Sequence, residues 1–143
     1  KAYDDLSTFK LYALDVGLLR QLSELDASVL LLSTPGYMEY KGALAENYVL
    51  QSLTAQFQAS FRYWTSGNKA EVDFLLQYDN HIYPIEVKAD QNVTGKSLIQ
   101  YEKLFQPVYR IRYSMLNLKQ DGNLINIPLF LADKTKELLK DKS

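Results

Sequence analysis

The residues of this chain that could do chemistry are three acids and one lysine: Glu46, Asp73, Glu86 and Lys88. Carboxylate oxygens are the ligands that magnesium prefers, and this ion takes one or two of them while keeping several waters. A lysine beside such a site could orient or activate a water, or stabilise charge that develops on a phosphate. Whether the four side chains meet depends on the elements that carry them.

Two of the acids lie in segments 70–78 and 82–89, whose residues predict two β-strands. The dipeptide Asp79-Asn80 between them tolerates the positive φ values that a tight hairpin demands. With a two-residue turn at this dipeptide, Tyr78 pairs with His81, and this pair sets the register of the whole hairpin.

In that register Asp73 lies directly opposite Glu86, and Lys88 shares their sheet face. Like charges in this position destabilise a hairpin unless a cation or a proton holds them together. The alternative is a solvated face with a surface pair between Glu71 and Lys88. Apolar residues occupy the other predicted face: Val72, Phe74, Leu76, Ile85 and Val87.

The third acid, Glu46, lies on a predicted helix over about 38–58. It falls within an apolar face whose members recur at helical spacing: Ala43, Leu50, Leu53 and Phe57. The polar side contains Asn47, Gln51, Thr54 and Gln58. A lone carboxylate facing the core is costly unless something compensates it. Either a metal does so, or Glu46 reaches water at the edge of the face or pairs with a basic residue.

The remaining pattern predicts an α/β domain with a single mixed sheet flanked by helices. We expect an N-terminal extension over 1–37 that leads into a core over 38–143, in one compact domain. The other predicted elements are a strand at 9–14, a helix capped by Asp15 and ending at Leu22, an ambiguous segment at 25–36, a strand at 61–65, a helix at 96–105 ended by Pro107, a strand at 108–113, a hairpin at 116–130 that turns at 120–123, and a lysine-rich C-terminal helix.

Composition is typical of a globular protein, with 143 residues, 47% of them apolar and 23% charged. A net charge of −1 argues against coating nucleic acid through bulk charge. The absence of cysteine excludes disulfides and thiolate-bound zinc. No apolar run approaches the ~20 residues that span a bilayer, so we expect no membrane partner. A cytoplasmic location fits the lack of cysteine. The polar start without an initiator methionine suggests a piece of a longer protein.

The arrangement of Glu46 on a helix, Asp73 on a strand and Glu86-Val87-Lys88 on the next strand resembles the E…D…ExK signature of the PD-(D/E)XK nuclease superfamily. The resemblance implies a restriction-endonuclease-like core in which Glu46, Asp73 and Glu86 bind Mg²⁺ or Mn²⁺. It also implies that Lys88 assists phosphodiester hydrolysis and that the Val87 carbonyl is a further ligand. The residue before Asp73 is Val72 and not proline, a departure that the superfamily tolerates. The Gln-x-x-x-Tyr motif of its RecB-like branch is absent, because Leu104 stands where tyrosine would follow Gln100.

The chain also resembles the C-terminal domain of unknown function found in bacterial and archaeal AAA-type ATPases. Three stretches carry this resemblance: Lys10-Leu11-Tyr12 with Asp15-Val16-Gly17-Leu18; Gly42-Ala43-Leu44-Ala45-Glu46-Asn47-Tyr48-Val49; and Tyr63-Trp64 through Glu71-Val72-Asp73-Phe74-Leu75 to Ile85-Glu86-Val87-Lys88. The resemblance implies an N-terminal ATPase module as the partner within a longer protein.

Three other features are weaker functional candidates. Thr94-Gly95-Lys96-Ser97 mimics the end of a phosphate-binding loop, but Asp90 stands where that motif needs glycine. Arg110 and Arg112 alternate with Tyr109, Ile111 and Tyr113, so the arginines either contact a nucleic-acid backbone or simply solvate the outer face of a strand. His81 is the single histidine and sits at a turn, where a metal or acid–base role is not expected.

The leading hypothesis is therefore metal-dependent hydrolysis of DNA by Glu46, Asp73, Glu86 and Lys88. The rival hypothesis is a non-catalytic interaction module of the ATPase that retains a relic acidic site, and an exposed apolar patch around 9–32 would favour it. DNA binding without cleavage is a third option, although no basic recognition helix is apparent.

Overall fold

The computed structural model describes residues 8–24, 35–67, 70–90 and 95–141 of the chain. These ranges contain the strands β1 (Arg62–Thr65), β2 (Glu71–Tyr78), β3 (His81–Val87), β4 (Arg110–Ser114), β5 (Lys119–Asp121) and β6 (Leu124–Pro128). The helices are α1 (Val16–Leu22), α2 (Pro35–Gln56), α3 (Lys96–Phe105) and α4 (Thr135–Lys140), with a 3-10 helix at Leu129–Lys134. The strands form one mixed sheet in the order β1-β2-β3-β4-β6-β5, which confirms the predicted α/β class.

The hairpin of β2 and β3 has the predicted register. Tyr78 pairs with His81, and the pairing continues without a shift to Phe74 and Ile85. At the turn, Asp79 and Asn80 have φ values of 49° and 61°. Positive φ at both central residues is the requirement of the tight turn that matches strand twist. Local turn chemistry therefore sets this register.

Strand β2 contains one residue more than β1 between two neighbouring pairs, which join Trp64 to Val72 and Arg62 to Leu75. Such a bulge changes the face to which the following side chains point. Val72 accordingly packs in a small apolar cluster with residues of α3, whereas Phe74 belongs to the main core. The prediction that these two residues share a face is wrong, because the alternation is interrupted between them.

Strands β3, β4 and β6 are parallel neighbours in the centre of the sheet, and α3 connects the first two. Helix α3 has the predicted bounds, Lys96–Phe105. In the parallel register Glu86 is level with Arg112, which in turn is level with Asn126. Strand β5 pairs antiparallel with β6 and confirms the predicted second hairpin.

The main core lies between the sheet and α2. Its buried residues alternate along the three parallel strands and are Ile85, Val87, Ile111, Tyr113, Ile125 and Ile127. The residues between them, Glu86 and Arg112 among them, therefore point to the opposite face. A second cluster contains Val72, Leu98 and Tyr101, two of which belong to α3. Helices α2 and α3 thus cover opposite faces of the sheet.

The buried face of α2 agrees with the prediction at Leu53, which is fully buried, and differs from it at two positions. Asn47, placed on the polar side by its spacing, is only 2% exposed, while Ala43 of the predicted apolar face is exposed. The pattern misleads because the apolar residues of α2 are spread around the helix instead of forming a stripe. In the part of the chain that the structure describes, neither α2 nor a shorter helix has the length and apolar character to cross a bilayer.

The N-terminal part differs from the prediction in one element. Residues 8–13 form neither strand nor helix, so the predicted strand at 9–14 is wrong. Helix α1 follows as predicted, and its N-cap Asp15 accepts a hydrogen bond from the Leu18 N–H at 2.8 Å. Most of the ambiguous segment at 25–36 lies outside the described residues, and α2 begins at Pro35.

The end of the chain packs back onto α2 through Gln56. Its side-chain amide donates to the Ala132 carbonyl at 2.7 Å, and its side-chain oxygen accepts from the Lys136 N–H at 3.0 Å. These bonds satisfy one backbone group in the 3-10 helix and one in the first turn of α4, the predicted lysine-rich helix. The C-terminal elements are therefore fixed to the end of α2.

Candidate metal centre

Glu46 and Asp73 meet around the side chain of Lys10. The Lys10 Nζ lies 3.9 Å from Glu46 Oε2 and 3.8 Å from Asp73 Oδ1, and it also forms an ion pair with Glu71. Tyr12 adds a hydrogen bond from its hydroxyl to Glu46 Oε2 at 3.2 Å. Burial alone would lower the pKa of Lys10, yet the hydrogen bond to Glu71 and the charges of Glu46 and Asp73 raise it above its ordinary value of 10.5. Lys10 therefore carries a positive charge among three carboxylates.

Asp73 is held at the point where the regular pairing of β2 and β3 ends. The last pair is Phe74 with Ile85, one step short of the predicted pair of Asp73 with Glu86. In place of a backbone bond, Asp73 Oδ2 accepts the Val87 N–H at 2.7 Å. The side chain of Asp73 is only 13% exposed. The bulge in β2 thus turns this acid into a side-chain link between the strands.

The environment of Asp73 disfavours its negative charge. Burial and the neighbouring charge of Glu46 raise its pKa from 3.8 to about 7, although the Val87 N–H and the charges of Lys10 and Lys88 act in the opposite direction. A nearby cation therefore stabilises the ionised form of Asp73 more than it would stabilise an exposed aspartate. The local electrostatics therefore favour an additional positive charge.

Glu86 lies on the α3 side of the sheet between two cations. Lys88 Nζ is 3.3 Å from Glu86 Oε1, and Arg112 Nε is 3.6 Å from Oε2. The side chain of Glu86 is 3% exposed and that of Arg112 is 11% exposed. The Arg112 guanidinium occupies the space that a Cβ on Gly95 would need. Glycine is therefore the residue that lets Arg112 pass beneath the start of α3.

Two atoms in this buried pair lack hydrogen bonds. Glu86 Oε2 and Arg112 Nε are buried, and neither has a hydrogen-bond partner among the described residues. Their separation of 3.6 Å exceeds an ordinary hydrogen bond. Buried polar atoms normally find partners, so a water or a ligand is expected here.

The predicted acids thus form two groups, Glu46 with Asp73 and Glu86 with its two cations. Within residues 8–24, 35–67, 70–90 and 95–141, no group of three or more acidic, histidine or cysteine side chains is arranged to hold a metal ion. The two groups are adjacent, because Asp73 bonds to the Val87 N–H and Lys88 acts electrostatically on Asp73. The three-acid ligand set and the Val87 carbonyl remain predictions.

The donor chemistry nevertheless fits a magnesium-type ion. The available donors are carboxylate oxygens, and magnesium needs only one or two of them because waters complete its octahedral shell. The convergence of Glu46 and Asp73 on one ammonium group and the disfavoured charge of Asp73 are the two observations that support the fit. Glu46 and Asp73 are the pair that a single ion would reach most directly.

The raised pKa of Asp73 predicts how the metal-free protein depends on pH. Between its ordinary value of 3.8 and its folded value of about 7, the folded state binds the proton more tightly than the unfolded state. This contribution to stability is complete below the lower value and is lost as pH rises through the upper one.

We expect Asp73→Asn, which keeps an acceptor for the Val87 N–H, to remove this loss. We measure the free energy of unfolding in urea with a chelator present. The value for Asp73→Asn minus the value for the wild type should increase as pH rises from about 4 to about 8. A constant difference between the two proteins would contradict the raised pKa.

The structure also places the weaker candidates. Arg110 bonds to Asn123 and pairs with Glu102 at 3.0 Å, so the alternative in which Arg110 and Arg112 simply solvate a strand face is wrong, while contact with nucleic acid stays a prediction. Both are largely buried because α3 covers them. His81 is exposed at the start of β3, far along the strand from Val87. Thr94 of the loop-like tetrapeptide lies outside the described residues.

Sequence reasoning missed Lys10, Tyr12, Glu71 and Arg112 as members of the site. Lys10 and Tyr12 stand two residues apart in a segment read as a strand, a spacing that would have placed them on one side. Arg112 could have been found only from the parallel register that sets it level with Glu86. Both signals require knowing which elements are neighbours.

Fold and site together define a mixed α/β domain with buried acids at the end of a central hairpin. The family model described as "Domain of unknown function (DUF4143)" matches residues 41–130, more than half of the chain. The chain belongs to this family. The matched range includes Glu46, Asp73, Glu86 and Lys88 but not Lys10. No curated protein and no solved structure matches the chain.

Proposed function

We propose that this chain is a PD-(D/E)XK nuclease-like domain with a restriction-endonuclease-like core, and that it hydrolyses phosphodiester bonds of DNA with Mg²⁺ or Mn²⁺. The observation that carries the proposal is the environment of Asp73. This acid is only 13% exposed, lies next to Glu46, and accepts a hydrogen bond from Val87, which stands between Glu86 and Lys88. Such a carboxylate is stabilised by a divalent cation.

The residues have distinct roles in this proposal. Asp73 and Glu46 hold the ion, with Glu86 and the Val87 carbonyl as further ligands. When bound, the ion supplies Lewis-acid stabilisation of charge on the phosphate. Lys88 is 39% exposed and lies 3.3 Å from Glu86, so its ammonium can reach both the acids and a substrate in solvent. It orients the attacking water or stabilises the phosphate charge.

The proposal includes two expectations about context. The partner within the full-length protein is an N-terminal ATPase module, and the location is cytoplasmic. The ATPase module follows from the resemblance to the C-terminal domains of AAA-type ATPases, to which the residues around Glu46 and Asp73 contribute. The cytoplasmic location is based on the lack of cysteine.

Cleavage of DNA in the presence of Mn²⁺ tests the proposal. We expect Asp73→Ala and Lys88→Ala each to lower the cleavage rate by about 100-fold or more, because each removes a group that acts at the phosphate. Asp133→Ala and Lys119→Ala, which change exposed residues outside the site, serve as matched controls and should cleave like the wild type. Equal cleavage by all five proteins would indicate a contaminating nuclease or a different site.

Binding of the metal also has a readout that does not need activity. A ligand present at 100 times its dissociation constant adds ~2.7 kcal/mol to stability, which raises the melting temperature. We expect this rise with Mn²⁺ in the wild type and a much smaller one in Asp73→Ala.

A second function, a non-catalytic interaction module of the ATPase, is favoured by one specific observation. Large apolar side chains are exposed in the N-terminal part: Phe9 at 81%, Leu11 at 88%, Leu14 at 84% and Leu22 at 68%. A contiguous exposed apolar patch is typical of a protein-binding surface. These side chains lie in the described part, 9–24, of the patch predicted around 9–32. This function predicts no rise in melting temperature with Mn²⁺ or Mg²⁺, so the same measurement separates the two hypotheses.

A further inference from the structure

Lys10 already places a cation among the acids of the proposed metal site. Its ammonium lies within 4 Å of Glu46 and Asp73, at 3.9 and 3.8 Å, and pairs directly with Glu71. It also lies 5.5 Å from the centre of the Tyr63 ring. The side chain is 25% exposed, so most of it is removed from solvent. No other lysine in the described ranges is paired with three acids in this structure.

The segment that carries Lys10, residues 8–13, is here called the N-terminal strap. Two further residues hold it against α2 and the sheet. The Tyr12 ring packs 5.5 Å from that of Phe74, and the Ala13 N–H donates to Asn47 Oδ1 at 2.9 Å. A cavity of about 240 Å³ separates part of the strap from α2 and is lined by Lys10, Tyr12, Glu46 and Asn47, among others. The strap thus covers the Glu46 side of the site without filling it.

The strap is attached by few contacts, namely the polar ones of Lys10, Tyr12 and Ala13 and the packing of the Tyr12 ring on Phe74. It forms no strand pairing, and Phe9 and Leu11 point away from the protein with more than four fifths of their surface exposed. Segments with few buried apolar contacts open at low cost compared with global unfolding. The contacts of Lys10 and Tyr12 with the acids are therefore a large part of what holds the strap down.

A divalent cation that binds Glu46 and Asp73 needs the same oxygen atoms that Lys10 and Tyr12 contact. Two positive charges at a separation of a few ångströms repel one another strongly in a partly buried site. Occupation by the metal and by the ammonium are for this reason mutually unfavourable. A cation that displaces the Lys10 ammonium from Glu46 and Asp73 therefore also breaks contacts that hold the strap in place.

We propose that the N-terminal strap is an intramolecular gate, in which Lys10 occupies the cation position and must leave before a divalent metal binds Glu46 and Asp73. This inference rests on the proposed function, because it concerns the same metal site. It makes Lys10 a competitor of the metal and not one of its supporting residues. By linkage, the metal releases the strap to the same extent that the strap weakens the metal.

Binding of Mn²⁺, followed by the loss of the free-ion signal in electron paramagnetic resonance, tests the gate. We expect Lys10→Met, which keeps most of the length of the side chain without its charge, to bind Mn²⁺ about 5-fold or more tightly than the wild type. Lys41→Met is the matched control, because Lys41 pairs with a different acid, Asp90, at 3.5 Å. Its affinity should equal that of the wild type.

A second measurement on the unaltered chain separates release of the strap from a simple change of charge. The Ala13 amide is bonded to Asn47, so its hydrogen exchange reports whether the strap is docked. Saturation of the wild type with Mn²⁺ should accelerate exchange at Ala13 and leave the Arg110 amide, bonded to the Asn123 carbonyl, protected. Unchanged exchange at Ala13 would overturn the gate even if Lys10→Met bound the metal more tightly.

The outcomes distinguish the two levels of the proposal. If the wild type binds Mn²⁺ and Lys10→Met binds it equally or more weakly, the gate is overturned and the proposed function stands. An absence of Mn²⁺ binding by all three proteins contradicts the metal-dependent function itself, and the gate with it.

Discussion

Arg112→Ala is expected to lower the free energy of unfolding by about 3 kcal/mol, the largest effect of any single charge removal that we predict. The side chain of its partner Glu86 is 3% exposed, so the loss of Arg112 leaves a buried carboxylate with only Lys88 beside it. The free-energy cost of an uncompensated buried charge exceeds the net contribution that the original ion pair makes to stability. The change also empties the space beneath Gly95 that the guanidinium fills. Since domains of this size are stable by about 5–15 kcal/mol, the effect is readily measured by urea unfolding.

Two companion variants identify the cause of that loss. Arg110→Ala removes a similarly buried arginine, but its partner Glu102 is 34% exposed and can regain water, so the loss should be clearly smaller. The double variant Glu86→Leu, Arg112→Met removes both charges and should recover most of the stability. If Arg112→Ala and Arg110→Ala destabilise equally, the buried charge of Glu86 is not the reason.

Phe74→Ala is expected to cost about 3–5 kcal/mol, the range measured for large aromatic truncations in protein cores. Phe74 is 2% exposed, and its ring lies 5.5 Å from that of Tyr12 and 6.3 Å from that of Phe61. The truncation therefore opens a cavity beside Asp73 and removes the surface on which Tyr12 rests. Tyr12 holds the N-terminal strap, so the variant should also increase hydrogen exchange at Ala13.

Phe130→Ala is the matched control for this cavity. Phe130 is 74% exposed at the edge of the C-terminal elements, so its removal should change the free energy of unfolding by less than about 1 kcal/mol. Thermal or urea unfolding of the two variants under the same conditions provides the comparison. A loss at Phe74 as small as that at Phe130 would mean that the core around Asp73 re-forms without the ring.

Most of the secondary structure could be predicted because its signals are local. Asp79 and Asn80 specify a turn with two positive φ values, and this turn alone sets the register of β2 and β3. Asp15 caps α1 through its own side chain. Pro107 and Gly95 bracket α3, whose predicted bounds are confirmed. In each case the determining atoms lie within a few residues of one another.

The predictions that failed depend on contacts between distant parts of the chain. Residues 8–13 contain alternating apolar residues, yet no neighbouring strand edge pairs with them, and Lys10 and Tyr12 bind acids instead. Asn47 was placed on the outer side of α2 because spacing cannot reveal that the Ala13 N–H bonds to its side chain. Burial at such positions is decided by the partner and not by the residue type.

The amino-acid sequence by itself determined the α/β class, the hairpin and the identity of the candidate acids. Only the tertiary structure decided how these acids are compensated: Glu46 and Asp73 by Lys10, and Glu86 by Lys88 and Arg112. The physical reason is the range of the forces involved. Turn and capping preferences act over a few bonds, whereas a buried charge is stabilised by whichever opposite charge the packing of sheet and helices brings within about 4 Å.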